Sequence, residues 1–143
     1  MRDRLVASTV LAFALMTLVG GSIALANEEA EKQAVAAAET WLALIDAGDV
    51  AKSWETAAAL FKGAVTQDQW QQQVGPFREP LGKLISRQVI STKYATSLPG
   101  APDGEYVVIQ FKTSFESKAS AVETVTPMKD PDGEWRVSGY FIK

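Results

Sequence analysis

The amino-acid pattern changes character at Gly82, and no other feature constrains the fold as strongly. Before it, apolar residues recur at helical spacing; after it, β-branched and aromatic residues alternate with polar ones between turn-forming clusters. Residues 28–47 put Ala34, Ala38, Trp41, Leu42 and Ile45 on one helical face. Gly48 is placed to end that helix in the left-handed conformation that glycine tolerates. Asp49 can cap a second helix whose buried stripe is Val50, Trp54, Ala57, Ala58 and Phe61. Thr66 with Gln69 matches a capping box, opening a third helix that buries Trp70, Val74 and Phe77. Gly75-Pro76 falls inside that pattern, so the third helix should kink or stop there. Four strands follow, at 84–98, 105–116, 120–129 and 134–142, and their short connectors imply antiparallel neighbours. The expected fold class is α+β, with about three N-terminal helices packed on a curved, cone-like four-stranded antiparallel meander.

Residues 1–26 have the build of an export signal. Arg2 and Arg4 precede the apolar run Leu5–Val19, Gly20-Gly21 breaks it, and Ala24-Leu25-Ala26 offers the small residues that a signal peptidase reads. Cleavage there leaves a single domain, 27–143, with the periplasm as its expected location and no membrane attachment. A retained N-terminal anchor is the alternative. The chain has no cysteine, which removes both a lipid anchor at the cleavage point and any disulfide staple.

Charge and composition exclude several functions. The full chain carries a net charge of −3, one unit less negative than the chain without its signal, and its lysines and arginines form no cluster long enough to track a phosphate backbone. Nucleic acid is therefore not an expected partner. With neither histidine nor cysteine, the chain lacks the usual ligands for zinc, copper or haem and any Ser-His-Asp or Cys-His nucleophile. No metal or cofactor is expected, and the enzyme reading leans to no. The PDGEY and PDGEW segments (102–106 and 131–135) lack the spaced acids of a calcium loop and read as turns. Among the carboxylates, Asp46 and Asp49 flank a helix junction where capping explains them; Asp130 and Asp132 sit in a turn.

Hairpin parity decides which strand residues face the helices. A two- or four-residue second turn pairs Phe115 with Val122 and Phe111 with Thr126. A four-residue turn at Asp130–Gly133 pairs Met128 with Trp135, Thr126 with Val137 and Val122 with Phe141. Both registers give one core face: Ile109, Phe111, Phe115, Val122, Met128, Trp135, Val137 and Phe141. Glu123 then falls on the outer face, opposite Ser114 and Tyr140, as a surface ladder residue. Thr113, Thr124 and Thr126 turn inward beside Gly139, and their hydroxyls require partners. They form the candidate ligand-binding patch, which Thr92 and Tyr94 on the first strand would extend. That strand changes parity between Val89 and Ile90, which implies a bulge, with Arg87 next to the bend as a further candidate site residue.

The segments WLALIDAGDVAKSW (41–54), REPLGKLISRQV (78–89), LPGAPDGEYVVIQF (98–111) and AVETVTPMKDPDGEWRVSGYFIK (121–143) together resemble domain of unknown function 4019, a family of exported, mostly Gram-negative bacterial proteins. The resemblance implies no catalytic residues. It also implies a layout similar to the cone-shaped helix-plus-sheet fold of nuclear transport factor 2 and ketosteroid isomerase, a fold that hosts enzymes and binders alike. The expected role is a non-catalytic domain binding a small ligand or an envelope partner. The alternatives are a homodimer through the outer sheet face, using Tyr140, Tyr106 and Val125, and an enzyme using Glu123 with Arg87 or Tyr140.

Overall fold

A computed structural model describes residues 18–143; residues 1–17 of the expected signal lie outside it. Four α-helices precede the sheet: α1 Leu18–Asp46, α2 Val50–Glu55, α3 Ala59–Ala64 and α4 Gln67–Arg78, followed by a 3-10 turn at Glu79–Leu81. The strands are β1 Leu84–Ala95, β2 Tyr106–Phe115, β3 Lys118–Lys129 and β4 Trp135–Ile142, in the spatial order β1-β2-β3-β4, every pair antiparallel. The fold is therefore α+β, a helical layer on one face of an open meander. Among the described residues no helix is long and apolar enough to cross a membrane.

The helix signals act as expected. Ala34, Ala38, Trp41, Leu42 and Ile45 are all buried along α1, and Gly48 leaves the helix at φ +78°. Asp49 accepts the Lys52 N–H at 3.3 Å, and the Thr66–Gln69 capping box is reciprocal. One expectation fails and another holds at most in part. The stripe from Val50 to Phe61 is not one helix, because Ala58 is extended and donates its N–H to Val137 O at 2.8 Å. That bond docks the α2–α3 junction on the otherwise open edge of β4. Of the kink or stop expected at Gly75-Pro76, the stop is absent: α4 carries Pro76 inside it and continues to Arg78, whose Nη1 donates to Gly82 O at 2.6 Å.

The sheet departs further from expectation, and the cause is local. The β2–β3 turn is tight, pairing Phe115 with Lys118, but one extra residue on β3 then precedes the Thr113–Ala121 pair. Beyond that bulge Phe111 pairs with Glu123 and Ile109 with Val125. The β3–β4 loop is also one residue longer than a four-residue turn, pairing Lys129 with Trp135. Each hairpin thus shifts the register by an odd number, and β3 turns over. Ala121, Glu123, Val125 and Pro127 face the helices, while Val122 and Met128 are half-buried and Phe141 is 52% exposed. A second bulge, at Ser138 on β4, lets Trp135, Val137 and Tyr140 all point inward. On β1 the bulge read from the sequence is present: the register shifts between Val89 and Ser91.

Candidate functional site

Two places concentrate polar chemistry: a buried network beneath the helices and a groove along α1. The network is centred on Glu123, whose side chain is fully buried. Its Oε1 accepts Arg87 Nε at 2.7 Å and the Thr113 hydroxyl at 2.5 Å; its Oε2 accepts Arg87 Nη2 at 3.2 Å and the Tyr140 hydroxyl at 2.5 Å. Arg87 is at the same time bidentate to Asp46, through Nη1 at 2.7 Å and Nη2 at 3.1 Å. Asp46 Oδ1 also accepts Arg78 Nη2 at 3.1 Å, and the Arg78 guanidinium lies 4.5 Å from the centre of the Phe115 ring. Two cations and two carboxylates therefore form one chain from α4 through α1 and β1 to β3.

Electrostatics hold the Arg87 guanidinium in its charged state. Burial disfavours the Arg87 cation, but hydrogen bonds and Coulombic attraction from Asp46 and Glu123 outweigh it, and its pKa is pushed up. Burial first, then the Glu123 charge and hydrogen bond, raise the Tyr140 phenol well above its ordinary value. Glu123 has four donors on its two oxygens, so its lone pairs are occupied and it has no free acceptor for a substrate proton. The arrangement fixes elements of the fold in place.

The placement of Glu123 corrects the outer-face reading: the extra β3 residue reverses its direction. It also corrects Asp46, which serves the network while Asp49 alone caps α2. Of the five ligand-binding candidates, Arg87 and Thr113 meet at Glu123. Tyr94 hydrogen-bonds Glu105 at 3.1 Å, and Thr124 and Thr126 alternate with inward Glu123 and Val125, so they face away from the helices. Thr92, expected to extend the patch, instead donates to Glu31 at 3.2 Å. The outer-face dimer contacts are corrected too. Val125 is in the core, Tyr140 packs against Trp41 at a centroid distance of 5.4 Å, and Tyr106 is buried with its hydroxyl on Pro102 O at 2.6 Å.

Two grooves among the described residues are lined by none of those five candidates. The larger, about 760 Å³, runs between α1, α2 and the start of β4. Gln33, Ala36, Ala37, Thr40, Trp41 and Leu44 line it from α1 at spacings of three and four, a second stripe flanking the core stripe. Lys52 from α2 and Thr56 at its C-cap add polar groups, and Glu134, Trp135, Arg136 and Val137 close it from the β3–β4 hairpin. Alanine at 36 and 37 leaves the space open. The smaller groove, about 300 Å³, meets the exposed end of the network at Asp46 and Arg78. Glu116 Oε1 accepts the Lys83 N–H at 2.6 Å there, the buried Arg78 Nε has no hydrogen-bond partner among the described residues, and Gly82 packs so closely that an added Cβ would lie 3.0 Å from Glu116 Cβ. The α1 groove was not legible in advance, because it needs the helix stripe and the hairpin to be brought together. The network had one signal: an arginine at an inward position of β1 demands a buried carboxylate.

The model of the family described as proteins of unknown function (DUF4019) matches residues 37–140, and the chain belongs to that family. No curated protein and no solved structure matches.

Proposed function

We propose that this family member is a non-catalytic exported domain that binds a small ligand in the groove between α1 and β4. The observation that carries the reading is the groove itself. Its volume of about 760 Å³ suits a small molecule, and it sets polar groups around an apolar floor of Ala36, Ala37, Leu44 and Val137. The saturated coordination of Glu123 supports the non-catalytic part, since the best-placed carboxylate of the fold is committed to Arg87, Thr113 and Tyr140. Export to the periplasm is supported by the way α1 begins. Residues 21–26 are exposed, and Ala30 is the first α1 residue packed against the core. A signal ending at Ala26 would therefore leave without disturbing that core.

A thermal-shift screen of the domain 27–143 against envelope metabolites and peptidoglycan fragments tests this reading. At least one compound should raise the Tm of the native protein and fail to raise that of Ala37→Trp, whose indole fills the groove. Equal shifts in both proteins, or none in either, would count against it.

A second reading, self-association through the sheet, is favoured by Ile85, Ile90 and Phe141, which are 64%, 49% and 52% exposed on the two edge strands. Sedimentation of a strict monomer at high concentration would remove it.

A further inference from the structure

The groove has a charge and donor pattern of its own. Three of the four tryptophans have their indole N–H fixed by protein acceptors: Trp41 on Ser53 O at 2.8 Å, Trp54 on Val65 O at 2.8 Å and Trp70 on Ser53 Oγ at 3.0 Å. Trp135 is 9% exposed, lines the groove, and has no protein acceptor for its indole N–H among the described residues. That N–H keeps access to solvent, so a mostly buried side chain of the groove retains a free donor.

The charged groups lining the groove are Lys52, Glu134 and Arg136. Arg136 is held by Asp130 at 3.0 Å and by Asp132 at 2.8 Å, two carboxylates that more than offset its charge. Lys52 and Glu134 form no ion pair with any described residue. One free cation, one free carboxylate and one free indole donor therefore surround a floor of Ala36, Ala37, Leu44 and Val137. A ligand that satisfies all of them has a carboxylate for Lys52 and the Trp135 N–H, an ammonium for Glu134, and apolar substituents for the floor. From Gln33 to Leu44 the helix spans about 16 Å, so the groove admits a peptide of up to about five extended residues. We infer that the groove takes a short zwitterionic peptide with apolar side chains, free at both termini.

This inference rests on the groove reading above, and the experiment separates the two. Trileucine, its N-acetyl form and its C-terminal amide are titrated into the ¹⁵N-labelled domain while the four indole N–H resonances are followed. The free tripeptide should move the Trp135 indole resonance and leave that of Trp70 in place. Each blocked form should bind about two- to fivefold more weakly, the size expected of exposed ion pairs. Lys52→Met should abolish the preference for the acid over the amide, and Glu134→Gln the preference for the free amine over the acetyl form. Both side chains are exposed, so neither change threatens the fold. Equal affinity for free and blocked forms overturns the zwitterion inference, and if that binding is lost in Ala37→Trp the groove reading stands. Binding that survives Ala37→Trp sinks both. An unmoved Trp135 indole with every form at millimolar concentration overturns the peptide inference.

Discussion

Arg87 and Glu123 make a two-pronged contact, Nε to Oε1 at 2.7 Å and Nη2 to Oε2 at 3.2 Å, that joins the first strand to the third across the inner face of β2. Because the other side of the same guanidinium grips Asp46, this pair also fixes the end of α1 over the sheet. A buried pair of this kind is costly to desolvate, and its main effect is to forbid alternatives. Any register that turned Glu123 outward would leave Arg87 with Asp46 alone.

Removing both partners should therefore hurt less than the two single removals added together. Arg87→Met strands a fully buried carboxylate and should cost about 3–5 kcal/mol in urea unfolding. Glu123→Leu should cost a similar amount. The double variant should be less destabilised than the sum of the singles by at least about 1 kcal/mol. Strict additivity would show that the pair does not couple.

Tyr140→Phe keeps the ring against Trp41 and Phe77 but removes the hydrogen bond to Glu123. The expected loss is about 1.5–3 kcal/mol, the range for a bond to a charged group. The variant should also change the alkaline limb. Folding raises the Tyr140 pKa, so its contribution is fully present below the unfolded value of about 10 and is lost as pH climbs above it. Native protein should lose stability steeply above pH 10, and Tyr140→Phe more gradually. Parallel curves would contradict this.

The β3–β4 hairpin should show the opposite sign in acid. Arg136 and the Glu134 N–H hold the Asp132 carboxyl down at about 2, below its ordinary value of 3.8. A depressed acid contributes stability above its unfolded pKa and loses it as pH falls toward the folded one. Carboxyl NMR should find Asp132 titrating near 2, and Arg136→Gln should return it toward 3.8. An unmoved value would exclude the ion pair in solution.

Truncation to 27–143 should leave the Tm within about 2 °C of the full chain, because residues 21–26 are exposed and outside the core. A large drop would mean that the N-terminal part of α1 has packing partners in solution.

Most of the helical layer was legible in the sequence. Gly48, Asp49, Thr66 and Gln69 act locally, and the α1 stripe needs only the helical period. The bulge at Ile90 was legible for a similar reason, since the apolar parity of β1 itself changes there. The facing of β3 was not. Ala121, Val125 and Pro127 on one side and Val122, Thr124 and Met128 on the other are nearly matched in apolar content, so alternation could not choose between them. Both hairpins carry an odd register shift, so two separately placed turns agreed with each other and were wrong together. What chooses the face is non-local: Arg87 from β1 and Asp46 from α1 meet at one site and require Glu123 there. The groove is non-local in the same way, since Ala37 and Trp135 are far apart along the chain.

The most direct test of the central claim is a crystal structure of the domain with whichever compound raises its Tm. The account predicts ligand density between α1 and β4, over Ala36 and Ala37 and within reach of Trp135 Nε1, with the Glu123–Arg87–Asp46 chain unchanged. Density in the smaller groove at Asp46 and Arg78, or a ligand atom bonded to Glu123, would contradict it.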